Sequence, residues 1–183
     1  MKLSECLKIT RAKTLSRGRH WVRHWYTVSS IEGDFDTYLG DTYAPFQFDD
    51  TWGLGEVAFG LRDKIGFSSE CLVRAEKDTS VTIEYGCDDG ARLFVYDLFG
   101  NLLYSKTDSW RVQPYTVYRA SFNLKEGVYK FVFDFYEWTA YGRVSFKVLS
   151  GAVRPIKILR SLARPPLDKH VRAENSGFEG QRL

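Results

Sequence analysis

No stretch of this 183-residue chain approaches the about 20 consecutive apolar residues that a helix needs to cross a bilayer. A helical membrane span is therefore excluded. Cysteine is scarce: Cys6, Cys71 and Cys87 are an odd set without C-x-x-C spacing, which excludes a zinc ribbon and a self-contained disulfide framework. One Cys71–Cys87 bridge stays open. The opening residues Met1 to Glu5 lead into no apolar core of the about 7–15 residues that a secretory leader carries. None of Asn101, Asn123 and Asn175 begins a glycosylation triplet. These absences predict either a chain that is not exported by the usual route or a sequence from which the leader is missing, and they leave its compartment undetermined.

Catalytic signatures are missing as well. Gly53, Gly55 and Gly60 have the wrong spacing for a phosphate-cradling loop, and no Lys-Ser or Lys-Thr pair follows them. Asp34 and Asp36 do not open an EF-hand loop, because Leu39 stands where the bend needs glycine. His20 and His24 would share one face of a helix but have no third ligand in view, and His170 is isolated. The expectation is a protein that is not an enzyme.

What the chain has is aromatic residues, 11 Tyr, 13 Phe and 5 Trp, which favour half-buried strands and also make binding surfaces. Its net charge of +3 is unevenly spread. Residues 1–25 hold seven Lys/Arg and one acid, residues 151–183 seven Lys/Arg and three acids, and the middle is acidic. The basic ends read as solvated arms that fold onto the acidic body, or as arms for phosphate-rich polymers or an assembly partner.

Along the chain, residues 2–25 show a loose helical spacing and then an aromatic, basic knot, His20 to Tyr26, which predicts a short helix or ordered arm. Residues 31–60, thick with Gly, Asp and rings, predict long turns pinned to a core. Period-two patterning then takes over. Val81, Ile83, Tyr85 and Cys87 share one face; Leu93 and Val95 oppose Phe94 and Tyr96; Tyr129, Phe131, Phe133 and Phe135 make an aromatic stripe; Val144, Phe146 and Val148 follow. Strands joined by short turns predict an all-β fold, an antiparallel two-sheet β-sandwich or barrel. The expected divisions are an arm over 1–30, the β domain over 31–150, and a basic extension over 151–183 with a short helix around 156–162.

Asp88-Asp89-Gly90 stands out between two strongly patterned strands. Asp-Gly there reads as a plain hairpin turn, whereas the paired carboxylates read as a corner where oxygens converge on a hard cation.

The order of features resembles the sugar-binding β-barrel family named after the N-terminal domain of anthrax protective antigen, shared with yeast adhesins and glycosidase insert domains. Phe48-Asp49-Asp50-Thr51-Trp52-Gly53 resembles its opening segment and Phe67 to Val73 its first barrel strand. The run Asp88-Asp89-Gly90-Ala91-Arg92-Leu93-Phe94-Val95-Tyr96 resembles its signature. Asp108-Ser109-Trp110 and the hairpin from Leu124 to Glu137 resemble its later motifs, so the likeness covers roughly residues 48–149. Two departures are visible: the late loop has no Asn, and Asp97-Leu98-Phe99-Gly100-Asn101 is longer than the usual turn.

The resemblance implies a non-catalytic carbohydrate-binding module, assisted by calcium held on Asp88 and Asp89, which some family members join by a cis peptide. It also implies Arg92, Glu137, Trp138 and Tyr141 as ligand-binding residues, a glycan or polysaccharide as partner, and an extracellular or surface setting. The alternative is a structural or assembly protein, a cell-surface or virion subunit that self-associates through its basic termini. Nucleic acid is not the expected partner.

Overall fold

The computed structural model describes residues 20–156. The helical spacing over 2–19 and the helix expected past Ile156 lie outside these residues. Eleven strands and no helix occur among them: β1 (Trp21–Val28), β2 (Phe35–Ala44), β3 (Phe48–Gly53), β4 (Ile65–Ala75), β5 (Thr79–Asp88), β6 (Gly90–Tyr96), β7 (Leu102–Lys106), β8 (Thr116–Leu124), β9 (Gly127–Glu137), β10 (Gly142–Ser150) and β11 (Val153–Pro155). One sheet runs β2-β1-β4-β9-β6-β7, with β11 also on β4, and the other runs β3-β10-β5-β8; every pairing is antiparallel. The two sheets form a sandwich and do not close into a barrel.

The period-two faces hold. Val81, Ile83, Tyr85 and Cys87 of β5 and Phe131, Phe133 and Phe135 of β9 are fully buried, as are Leu93 and Val95 of β6. Ring contacts stitch the sheets together: Tyr85 lies 5.5 Å from Phe133, and Phe133 5.4 Å from Phe146. Such offset and edge-on geometries add to the burial of the rings themselves.

The knot at 20–26 is neither arm nor helix, because β1 lies inside the larger sheet. Trp21 and Trp25 point into the core, and Arg23 goes with them. Its guanidinium sits 4.4 Å from the Phe48 ring centroid and 4.6 Å from that of Phe67, and one nitrogen donates to Asp50 Oδ2 at 2.7 Å. A charged residue at an inward position hides a strand's alternation, and the aromatic sandwich is what makes that position tenable. Residues 31–60 likewise contain β2 and β3, so long turns do not describe them. Their Gly and Asp content is tolerated because both are edge strands, and β2 takes up irregularities opposite Tyr26. Cys71 and Cys87, on different sheets, are free and buried, so the bridge does not form.

Strand direction divides the connections between two ends. At one end lie residues 29–34, 54–64, 107–115, 138–141 and the β5–β6 link; at the opposite end lie 45–47, 76–78, 97–101, 125–126 and 151–152. The first end carries the acidic corner.

Candidate metal and ligand site

Asp88-Asp89-Gly90 is not a hairpin. Asp88 ends β5 in the smaller sheet and Gly90 begins β6 in the larger one, so Asp89 is the residue at which the chain crosses between layers. The Asp88–Asp89 peptide is cis. Gly90 is required by a close approach, since a Cβ there would come 2.1 Å from Tyr136 Cε1. Tyr136 is itself buried, and its hydroxyl donates to Ile31 O at 3.0 Å.

Around this crossing, backbone amides orient the acids. Tyr115 N–H donates to Asp88 Oδ2 (3.1 Å), Gln113 N–H to Asp89 Oδ1 (3.2 Å), and Trp138 N–H to Asp89 Oδ2 (2.7 Å). Glu137, the last residue of β9, completes the group: one oxygen from each of Asp88, Asp89 and Glu137 falls within 4.8 Å of the others. Asp88 is half-buried, Asp89 is 3% exposed and Glu137 is fully buried. Neither carboxylate oxygen of Glu137 has a hydrogen-bond partner. A buried carboxyl group without partners is costly in a folded chain, unless a cation or a proton satisfies it.

The electrostatics follow from that crowding. Burial, then the charges of Asp89, Asp88 and Asp63, push the Glu137 carboxyl up to about 8. Burial and the neighbouring Asp89 raise Asp88 to about 6, against the opposing Tyr115 amide. Asp89 is also raised by burial, while the amides of Trp138, Gln113 and Thr139 pull the other way. The group is all oxygen and anionic, the donor set of a hard divalent cation.

Of the residues expected from sequence, Asp88, Asp89 and Glu137 come together. Trp138 adjoins them through its amide, and its ring lies 4.9 Å from Lys64 Nζ. Tyr141 is 55% exposed on the 138–141 loop, where Ala140 holds a positive φ of 83° and donates its N–H to Asp63 Oδ1. Arg92 is placed differently. Its Nε donates to the buried Asp134 at 2.8 Å, and its guanidinium stacks 4.0 Å from the Trp110 centroid. Through Trp110 it braces the 107–115 loop on the outer face of the larger sheet, and its ion pair is with Asp134 and not with Asp88, Asp89 or Glu137.

Two contributors carry no sequence signal. Tyr115 acts through its amide; Gln113 acts through its amide and through Nε2, which donates to Asp89 O at 3.1 Å and Cys87 Sγ at 3.2 Å. His24 falls on strand β1 and His20 just before it, so no helix brings the two together, and His24 Nδ1 lies 2.7 Å from Asp41 Oδ1.

No family model matches the chain. No curated protein matches it either. Among solved structures, an anti-sigma factor domain-containing protein is similar at 20% identity and a TM-score of 0.54, covering 75% of this chain and 46% of that one. That likeness is one of fold, and this chain spans less than half of that protein's length. A family 35 carbohydrate binding module from an environmental isolate overlaps with 74% of this chain and 98% of its own, at 14% identity and a TM-score of 0.39. A β-glucosidase from Kluyveromyces marxianus in complex with glucose overlaps with 79% of this chain and 18% of its own, at 8% identity and 0.43.

Proposed function

We propose that this protein is a non-catalytic carbohydrate-binding domain whose saccharide is held through a calcium ion on Asp88, Asp89 and Glu137. The observation that carries the reading is Glu137: a fully buried carboxyl, both oxygens unpartnered, placed against two further carboxylates. The residues fit such an ion by charge and by donor type, since calcium takes carboxylate and neutral oxygens and leaves positions that vicinal hydroxyls fill. Calcium supplies the charge that the three acids otherwise lack. The ordered motifs from Phe48 to Glu137 support placing the chain in the protective-antigen-type family.

The chain's own residues divide the work. Asp88 is the half-buried member and the most solvent-accessible of the three, while Asp89 is locked by amides from Gln113 and Trp138. Tyr141 offers an exposed ring for the apolar face of a sugar. Arg92 positions the 107–115 loop and does not touch the ligand.

The test pairs calorimetry with glycan binding. Millimolar calcium raises the melting temperature, because a ligand selective for the native state stabilises it, and binding to immobilised polysaccharides is lost in EDTA. An unchanged melting temperature together with calcium-independent or absent glycan binding refutes the reading.

A further inference from the structure

The long turn Asp97-Leu98-Phe99-Gly100-Asn101 has no part in the carboxylate site. It lies at the opposite end of the sandwich, between β6 and β7. The turn is firmly built: Asp97 Oδ1 accepts from the amides of Phe99 and Asn101 at 2.9 Å each, and Oδ2 from Asn101 Nδ2 at 2.7 Å. This scaffold displays Phe99 at 93% exposure and Leu98 at 61%, beside Leu102 and Leu103 of β7, each about half exposed. A well-held turn that presents apolar side chains to water is the form of a contact surface.

Both chain exits lie in the same half of the molecule. β1 starts at Trp21, with His20 N donating to Ala44 O at the far end of β2, and Ile156 N donates to Leu72 O just after β11. The acidic corner is at the other end of these strands. Residues 1–19 hold six Lys/Arg against one acid, and residues 157–183 hold six against three. The described residues at this end are close to balanced, with Glu76, Asp78, Asp97 and Glu126 against Lys77, Lys125 and Arg154 and with Arg154 paired to Glu76 and Lys125 to Asp78, so the positive charge comes from the terminal segments.

We propose that this end of the sandwich docks on an anionic lipid surface, with Leu98 and Phe99 entering the headgroup region and the basic terminal segments neutralising lipid charge. Peripheral membrane binding takes such a pair of signals, apolar insertion and a polybasic patch, since either alone is weak. Nucleic acid would match the basic segments but leave Leu98, Leu102 and Leu103 in water. Docked this way, the protein turns its carboxylate corner away from the membrane. The inference does not depend on what that corner binds.

The test uses the full chain in EDTA, so that a cation cannot bridge lipid to the acidic corner. Sedimentation is measured with vesicles of phosphatidylcholine alone and with vesicles in which about one third is phosphatidylserine. The expected result is binding to the anionic vesicles only, weakened by salt, and weakened about tenfold or more by Phe99→Asp, a change at an exposed position that leaves the melting temperature unaltered. Equal binding by Phe99→Asp, no vesicle binding at all, or binding to duplex DNA in place of vesicles overturns it.

Discussion

Glu137→Gln separates a cation site from a merely crowded corner, because the substitution keeps the shape and removes one charge. In metal-free protein, the Glu137 carboxyl titrates at about 8 against an ordinary 4.5, raised by burial and by Asp89 and Asp88. A raised carboxyl favours the folded state fully below about pH 4.5, and that stability is lost as pH rises toward and through about 8. Each pH unit across this window costs about 1.4 kcal/mol. Glutamine has no proton to hold. In EDTA at pH 7, the variant is therefore expected to be more stable than the parent by about 1–3 kcal/mol, with the difference vanishing near pH 4.5. Calcium reverses the order. At about a hundredfold excess over its dissociation constant, it stabilises the parent by about 2.7 kcal/mol, a rise of roughly 5–10 °C for a domain of this size, whereas the variant shows only a small fraction of that rise. The assay is thermal unfolding of both proteins at pH 4.5 and 7, in EDTA and in calcium. A variant that is less stable than the parent in EDTA and keeps the full calcium shift would refute the reasoning.

Three further outcomes follow from named contacts. Gly90→Ala forces a Cβ to within 2.1 Å of the Tyr136 ring, so unfolding by urea should show a loss of about 2 kcal/mol or more. Arg92→Ala strips the ion-pair partner from the buried Asp134 and the stack from Trp110; a loss of about 2–4 kcal/mol is expected, with the calcium-induced melting shift retained, and a vanished shift at preserved stability would return Arg92 to the ligand site. Tyr141→Ala, at an exposed ring, should leave melting within about 1–2 °C of the parent while glycan binding on an array falls; unchanged binding removes that ring from the sugar contact.

Much of the sandwich was legible from period-two alternation, since a strand with one face in a core must alternate. Where alternation was disguised, the reading failed for identifiable reasons. Arg23 occupies an inward position of β1, and two rings from other strands, Phe48 and Phe67, shelter it. β2 and β3 are edge strands whose Gly and Asp residues look like loop until β1 and β10 pair with them. The short last strand β11 exists only because β4 extends past the start of β1 and leaves Val73 to Ala75 free to pair with it.

By itself, the order of residues determined the all-β class, the inward faces of β5, β6, β9 and β10, and the pair Asp88-Asp89 as the place to look, because these depend on local alternation and on adjacent side chains. Only the tertiary structure decided that the pair bridges two sheets, that Glu137, 48 residues beyond Asp89, closes on it, and that Arg92 is turned away toward Asp134. The physical reason is that carboxylates repel one another and shed water at a cost, so nothing in their own chemistry gathers them. The gathering is imposed by β9 pairing with β4 and β6, whose register brings the end of one strand beside the crossing between layers.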